Sequence, residues 1–306
     1  MLEAVARLGY RVNATARQLR AGRTGAIGLL VPHLDGPYYS HLAARLDTLA
    51  RARGYHVIIE RTGASREGEL AAISPERVHP YDGVVFSPVQ IDTADVRRAG
   101  VEVPVLLLGE RRLAGDFDHV MMDNVGGAEL ATSYLLERGA RRIALIGGRT
   151  DDGVDSMATL RTRGYRAAHA TAGVPVDEQL VVDAASFTTK DGYEAVMRLH
   201  RDGARFDGAF ALTDAAAMGA LRALADIGLR VPDDVQVVGF DNDAEGEYLV
   251  PRLTTMDPDN DTMAERIMDL LLRRVEADSS GVGDVVESVM SARIVVREST
   301  RAHVPG

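Results

Sequence analysis

The 306-residue chain has no cysteine and no tryptophan. Without cysteine there can be no disulfide, no thiolate zinc site and no cysteine nucleophile. Lys190 is the only lysine; arginine takes every other basic position, a skew that fits GC-rich coding DNA better than a demand for guanidinium chemistry. No stretch approaches the ~20 consecutive apolar residues of a membrane span. Polar and charged residues interrupt the N-terminus where a secretory signal keeps an apolar run. The expectation is a cytoplasmic protein with no membrane partner.

Chemical motifs are equally scarce. Ile146-Gly147-Gly148 follows a strand pattern, but neither GxGxxG nor GxxxxGK[ST] completes it, which argues against a bound nucleotide cofactor. The histidines show no HExxH spacing, and no serine stands in a GxSxG context. Asp257-Pro-Asp259-Asn-Asp261 imitates the start of a calcium loop, but Thr262 replaces its glycine and Met268 its closing glutamate, so a helix entry is the better reading. No metal, no cofactor and no enzymatic activity are expected.

The chain does contain a strong charge asymmetry. Residues 1–24 hold five arginines (Arg7, Arg11, Arg17, Arg20, Arg23) against one acid, Glu3, whereas the whole chain carries a net charge of −10. Only this leader can attract nucleic acid. A short amphipathic helix pattern stops at Gly9, and a second begins at Asn13, a good helix cap.

From Ala26 onward, strand and helix patterns alternate. Strands are expected at Ala26–Val31, His56–Glu60, Gly83–Ser87, Val103–Leu108 and Val120–Asp123, with helices including Tyr38–Arg53 and Val125–Arg138. The series restarts after Gly139 with strands at Arg142–Ile146, Leu180–Ala184, Gly208–Ala211 and Gln236–Phe240. Its helices are Asp155–Ala172, Thr189–Asp202 and Asp214–Ile227. Alternation of this kind predicts an α/β fold of two doubly wound parallel-sheet lobes. The tail adds a helix at Thr262–Val275 and a last strand at Ser288–Val296, and it must cross between the lobes again. The expected division is a leader at 1–24, a first lobe of 25–138 plus 258–282, and a second of 139–257 plus 283–306. Ligands are expected between the lobes, at the strand ends.

Several blocks carry a family resemblance: LGYRVNATARQLRAGRTGAIGLLVP, MMDNVGGAELATSYLLERGARRIALIGG, Arg161-Thr-Arg-Gly-Tyr165, TDAAAMGALRALADIGLRVPDDVQVVGFDN, LTTMD and IVVREST. In this order and over nearly the whole chain they resemble the LacI/GalR family of transcription regulators, with its periplasmic-binding-protein-type core. The resemblance implies a homodimeric regulator, a repressor of transcription, whose core binds a small effector and whose hinge helices reach operator DNA. It places Asn13, Ala16, Arg17, Leu19 and Arg20 on the hinge helix. Leu19 would be the wedge pushed into a base step, with the arginines near phosphates. By residue chemistry alone, Leu2–Leu19 packing on the core with solvated arginines remains open. Val12 stands where the family usually has proline. The chain starts inside the third headpiece helix, so the sequence-reading helices are expected upstream of Met1 or lost from a ligand-sensing core.

The resemblance also implies an effector site of Tyr38, Tyr39, Asp123, Arg161, Phe187, Thr213 and Asp241. Each has a plainer alternative. The tyrosines can be an ordinary helix start, Asp123 a helix cap, and Phe187 core. Arg161 offers a planar fork of donors and Asp241 a carboxylate at a strand end. Arg163 is expected at the surface, Asp214 as the cap of the next helix, and Pro258 where some relatives use a polar contact. A sugar is the expected effector, with a purine or nucleoside as the alternative; the missing tryptophan counts mildly against a sugar-stacking platform.

Overall fold

The first strand, β1 (Ala26–Val31), is buried along its full length, as its unbroken apolar run requires of a strand covered on both faces. The structure, a computed structural model, describes residues 23–34, 36–111, 117–150, 155–184, 186–277 and 283–302. The leader up to Gly22, with its hinge residues, lies outside these.

Helix α1 (Pro37–Ala52) leads from β1 to β2 (His56–Arg61). Next come α2 (Arg66–Ala72), the short α3 (Pro75–Val78), β3 (Gly83–Phe86), α4 (Thr93–Ala99), β4 (Val105–Leu108) and β5 (Asp118–Met122). Together with β11 (Glu287–Met290) these strands form one all-parallel sheet in the order β11-β5-β4-β3-β1-β2. The second lobe comprises α5 (Asn124–Glu137), β6 (Ile143–Ile146), α6 (Met157–Ala172), β7 (Val181–Val182), α7 (Thr189–Arg201) and β8 (Gly208–Ala211). It continues with α8 (Asp214–Asp226), β9 (Gln236–Phe240) and β10 (Thr254–Asp257). Its sheet runs β12-β10-β9-β8-β6-β7, with β12 (Arg293–Val295) antiparallel to β10 and the other pairs parallel. Helix α9 (Asn260–Glu276) packs back on α1 and the first sheet. The expected α/β class with two doubly wound lobes is therefore present.

Sequence capping explains most helix starts. Asp92 and Thr188 each close a capping box, and Ser65, Asp123, Ser156 and Thr213 each accept a bond from the backbone three residues on. Thr213, not Asp214 as expected, is the cap of α8. The Asp214 carboxyl turns inward, where Oδ1 accepts from Thr255 Oγ1 at 2.6 Å and Oδ2 from the Asp243 backbone at 2.8 Å.

Tertiary packing shifts two of the expected lobe borders. Helix α5 was expected with the first lobe, but its buried Ala128, Ala131 and Leu135 face α6 and the second sheet. Gly164 permits this: a Cβ there would stand 2.2 Å from the Val125 carbonyl oxygen and 2.8 Å from Ala128 Cβ. The expected strand Ser288–Val296 is in fact two. β11 adds to the open edge of β5 in the first sheet, and the chain crosses to β12 only after Met290. Chain crossings thus lie at 123/124, between Asp257 and Asn260, and between Met290 and Arg293.

Two further strands depart from expectation. Leu180–Ala184 shrinks to Val181–Val182 behind a 3-10 turn at Glu178–Leu180. β10 was not foreseen, because buried threonines hide its burial. Thr254 and Thr255 pay for their desolvation with bonds to Thr300 Oγ1 at 2.9 Å and to Asp214.

The tail is tied down by a buried carboxylate. Asp118 is 2% exposed and accepts from Arg273, Arg274 and the Val286 backbone.

Candidate functional site

Both sheets follow the 2-1-3-4-5 strand order, counting from β1 in one and β6 in the other, and such sheets hold ligands at the carboxyl ends of their strands. All but one of the expected effector residues stand there. Tyr38 and Tyr39 start α1 just past β1, Asp123 follows β5, Phe187 lies in the loop after β7, Thr213 follows β8, and Asp241 follows β9. Arg161 comes from α6 instead, and it is the centre of the site.

Arg161 is 2% exposed. Its Nε donates to Asn124 Oδ1 at 2.7 Å, Nη1 donates to the Leu212 carbonyl, and Nη2 faces Met122 sulfur at 3.7 Å. Its guanidinium carbon lies 3.5 Å from the centre of the Phe240 ring, a cation–π contact strengthened by desolvation. Nη2 stands 3.7 Å from Asp241 Oδ1, longer than a hydrogen bond, so both groups keep capacity for a third partner. Burial pulls the Arg161 guanidinium down, while Asp241 and Glu110 oppose the shift. Burial also pushes the Asp241 carboxyl well above the usual carboxylate range, against the pull of Arg161.

The backbone around Asp241 is unusual. Its φ is +119°, a conformation that non-glycine residues enter only when the surroundings enforce it, and Asn242 follows at +55°, in the left-handed region that asparagine tolerates. Here Asn260 Nδ2 donates to the Asp241 carbonyl at 2.8 Å, and Arg297 Nη2 donates to Asn242 Oδ1 at 2.9 Å.

The two tyrosines lie near this centre, within the field of Asp241. Tyr38 and Tyr39 meet edge to face, centroids 4.9 Å apart, and Tyr39 pairs with Ser87 Oγ at 3.1 Å. Burial raises both phenols, and the charges of Asp241 and Glu110 act on each. Phe187 sits at φ +57° against Gly147, where a Cβ would come within 3.0 Å of the ring. Thr213 Oγ1 donates to the Phe187 carbonyl at 2.9 Å and fixes that loop. Thr213 and Asp123 thus both serve backbone; Asp123 Oδ1 accepts from Gly126 at 2.8 Å, the capping reading. Arg163 is surface, paired with Asp155 at 2.7 Å.

Four residues of the site went unread in the sequence. Asn124 joins Arg161 to Glu110, with Nδ2 3.2 Å from Glu110 Oε1. His41, one turn into α1, reaches Asp243 across the cleft. Asn124, Glu110 and Asp243 also follow strands, so the strand-end rule that singled out Asp241 reaches them too. His41 carried no such signal. Among the described residues no group of three or more His, Asp or Glu could hold a metal ion, and no helix is long and apolar enough to cross a membrane. The hinge residues Asn13, Ala16, Arg17, Leu19 and Arg20 lie outside the described residues.

Comparison with known proteins places this architecture. The family model for the periplasmic binding protein-like domain matches residues 132–300. The ribose operon repressor of Halalkalibacterium halodurans is 30% identical over 304 residues, 98% of this chain and 87% of that protein. A putative LacI-family transcriptional regulator from Sanguibacter keddieii superposes with a TM-score of 0.84 at 38% identity, over 92% of this chain and all of that one. A periplasmic binding protein/LacI transcriptional regulator from Alkaliphilus metalliredigens, complexed with D-xylulofuranose, gives 0.78 at 27% identity over 91% of this chain and all of that one. These relatives are regulators rather than enzymes. A chain with this fold, matched at this identity along nearly its full length, belongs to the LacI family of transcriptional regulators.

Proposed function

We propose that the chain is a ligand-responsive repressor whose core binds a small polyhydroxylated effector, a sugar, between the two lobes. The observation that carries this reading is the buried pair of Arg161 and Asp241 at the strand ends. A buried guanidinium and a buried carboxyl stand 3.7 Å apart, and Tyr38 lies within the field of both. A hydroxyl can donate to one and accept from the other. The aromatic faces also suit a purine base, so nucleosides belong in any screen.

The three chain crossings form a hinge, and effector contacts drawn from both lobes would select one lobe angle. Through the leader, that angle would set the hinge residues Asn13, Ala16, Arg17, Leu19 and Arg20 against operator DNA. The regulator works as a homodimer in the cytoplasm. Tyr248 and Val250, 83% and 98% exposed, offer apolar area for self-association.

A thermal-shift screen of sugars and nucleosides tests the cleft reading, because a ligand bound only by the native state raises the melting temperature. Asp241→Ala should abolish the response to any ligand found; unchanged calorimetric affinity refutes the assignment.

A further inference from the structure

The cleft is unbalanced both in charge and in hydrogen-bonding sense. Glu110, Asp241 and Asp243 bring carboxyl groups, with Glu245 at the lip, against the guanidinium of Arg161 and the imidazole of His41. These charges share one field: Glu110, Asp241 and Arg161 all act on Tyr38, and Asp243 and Arg161 both act on Asp241. Arg161 is largely committed already, to Asn124, to the Leu212 carbonyl and to the Phe240 ring.

Acceptors, by contrast, are left over. Asp243 turns Oδ1 to His41, while its Oδ2 is buried without a partner. Asn260 spends Nδ2 on the Asp241 carbonyl and leaves Oδ1 buried without a partner. Their residues are 3% and 7% exposed. An unpaired buried acceptor is costly, and these two sit beside Asp241 rather than scattered through the core. Arg45 and Arg297 also act at this end, on Asp243 and Asp214, but neither donates to these two oxygens; what they lack is donors.

We infer that the effector carries a protonated amino group beside its hydroxyls, as an amino sugar does, and that this ammonium sits at Asp241, Asp243 and Asn260. The inference rests on the reading of the cleft as the effector site. An ammonium supplies three donors and no acceptor, which is what Asp243 Oδ2 and Asn260 Oδ1 lack. A hydroxyl brings acceptor lone pairs that this end cannot use, and a phosphate or carboxylate would face like charge. Burial holds Asp243 at about 6 and Asp241 well above the usual carboxylate range, and an arriving cation favours the ionised form of both.

The test is isothermal calorimetry on the full chain with D-glucosamine, D-galactosamine and D-mannosamine, each beside its parent hexose and that hexose's 6-phosphate. At least one amino sugar should bind about tenfold or more tightly than its parent. Asp243→Asn, which keeps the shape and the backbone bond to Asp214, should erase that advantage. A parent hexose or a 6-phosphate that outbinds every amino sugar overturns the inference, as does the absence of binding by all three amines. If hexoses bind and Asp241→Ala abolishes their binding, the cleft reading survives and only the amine is lost. Binding that ignores Asp241→Ala removes the cleft reading itself.

Discussion

His41 Nδ1, on α1 of the first lobe, stands 3.3 Å from Asp243 Oδ1 of the second lobe, and its Nε2 stands 3.8 Å from Glu245 Oε1. This contact bridges the lobes at the mouth of the cleft, so its strength depends on the lobe angle. Burial lifts the Asp243 carboxyl to about 6 from 3.8, with His41 opposing. A carboxyl raised on folding stabilises the fold below its unfolded value, and that contribution is lost as pH rises through its folded value. Asp243→Asn should therefore gain on the parent chain by about 1–3 kcal/mol near pH 7.5 and gain nothing near pH 4. Urea denaturation at the two pH values checks this; a variant no more stable at the higher pH contradicts it.

Arg161→Ala should cost about 3–5 kcal/mol, because it strips a partner from the Leu212 carbonyl and Asn124 and leaves Asp241 uncompensated. Arg161→Lys keeps the charge but loses the fork that reaches these partners at once, so it should fold and yet lose effector affinity. Denaturation midpoints and calorimetry on the two variants separate stability from binding. A Lys variant with full affinity would show that the fork plays no part.

Asp118 gives the opposite pH signature. Burial pushes it up, but Arg274, the Val286 backbone and Arg273 outweigh burial and hold it below its usual value. Its stabilisation is thus present above the unfolded value and lost as pH falls through the lowered folded value. Asp118→Asn should destabilise by several kcal/mol at neutral pH and narrow its deficit in acid. It should also loosen β11, which hydrogen exchange at the Glu287–Met290 amides would register as faster exchange.

Gly164→Val should force α5 and α6 apart, since even a Cβ meets the Val125 carbonyl at 2.2 Å. A cost of about 1–3 kcal/mol, or failure to fold, is expected. Melting temperature reads it, and an unchanged value would mean the two helices can separate freely.

Tyr248→Asp combined with Val250→Asp should leave the secondary structure of the full chain unchanged by circular dichroism, since both side chains are exposed in a single chain. On the homodimer proposed above, the parent chain should sediment as a dimer and the double variant, at the same concentration, as a monomer. A dimer of unchanged strength moves the interface elsewhere.

Much of the cleft is legible in the sequence because strand ends are legible. Apolar runs such as AIGLLV and GAFA announce buried strands, and the residue after each must emerge at one edge of its sheet. That logic reaches Asp123, Thr213 and Asp241 directly. It does not say which of them keeps a free side chain. Asp123 and Thr213 spend theirs on helix amides, a competition decided by local backbone geometry.

The sequence by itself determined the α/β alternation, the two-lobed count and the family, since all of these follow from periodicity and from motifs in a fixed order. Only the tertiary structure decided which lobe owns α5 and β11, because a glycine-mediated helix contact and an open sheet edge involve residues far apart in the chain. It also decided the pairing of Arg161 with Asn124, Phe240 and Asp241. A buried guanidinium draws its partners from three separate segments, and their meeting is set by packing that no local pattern records.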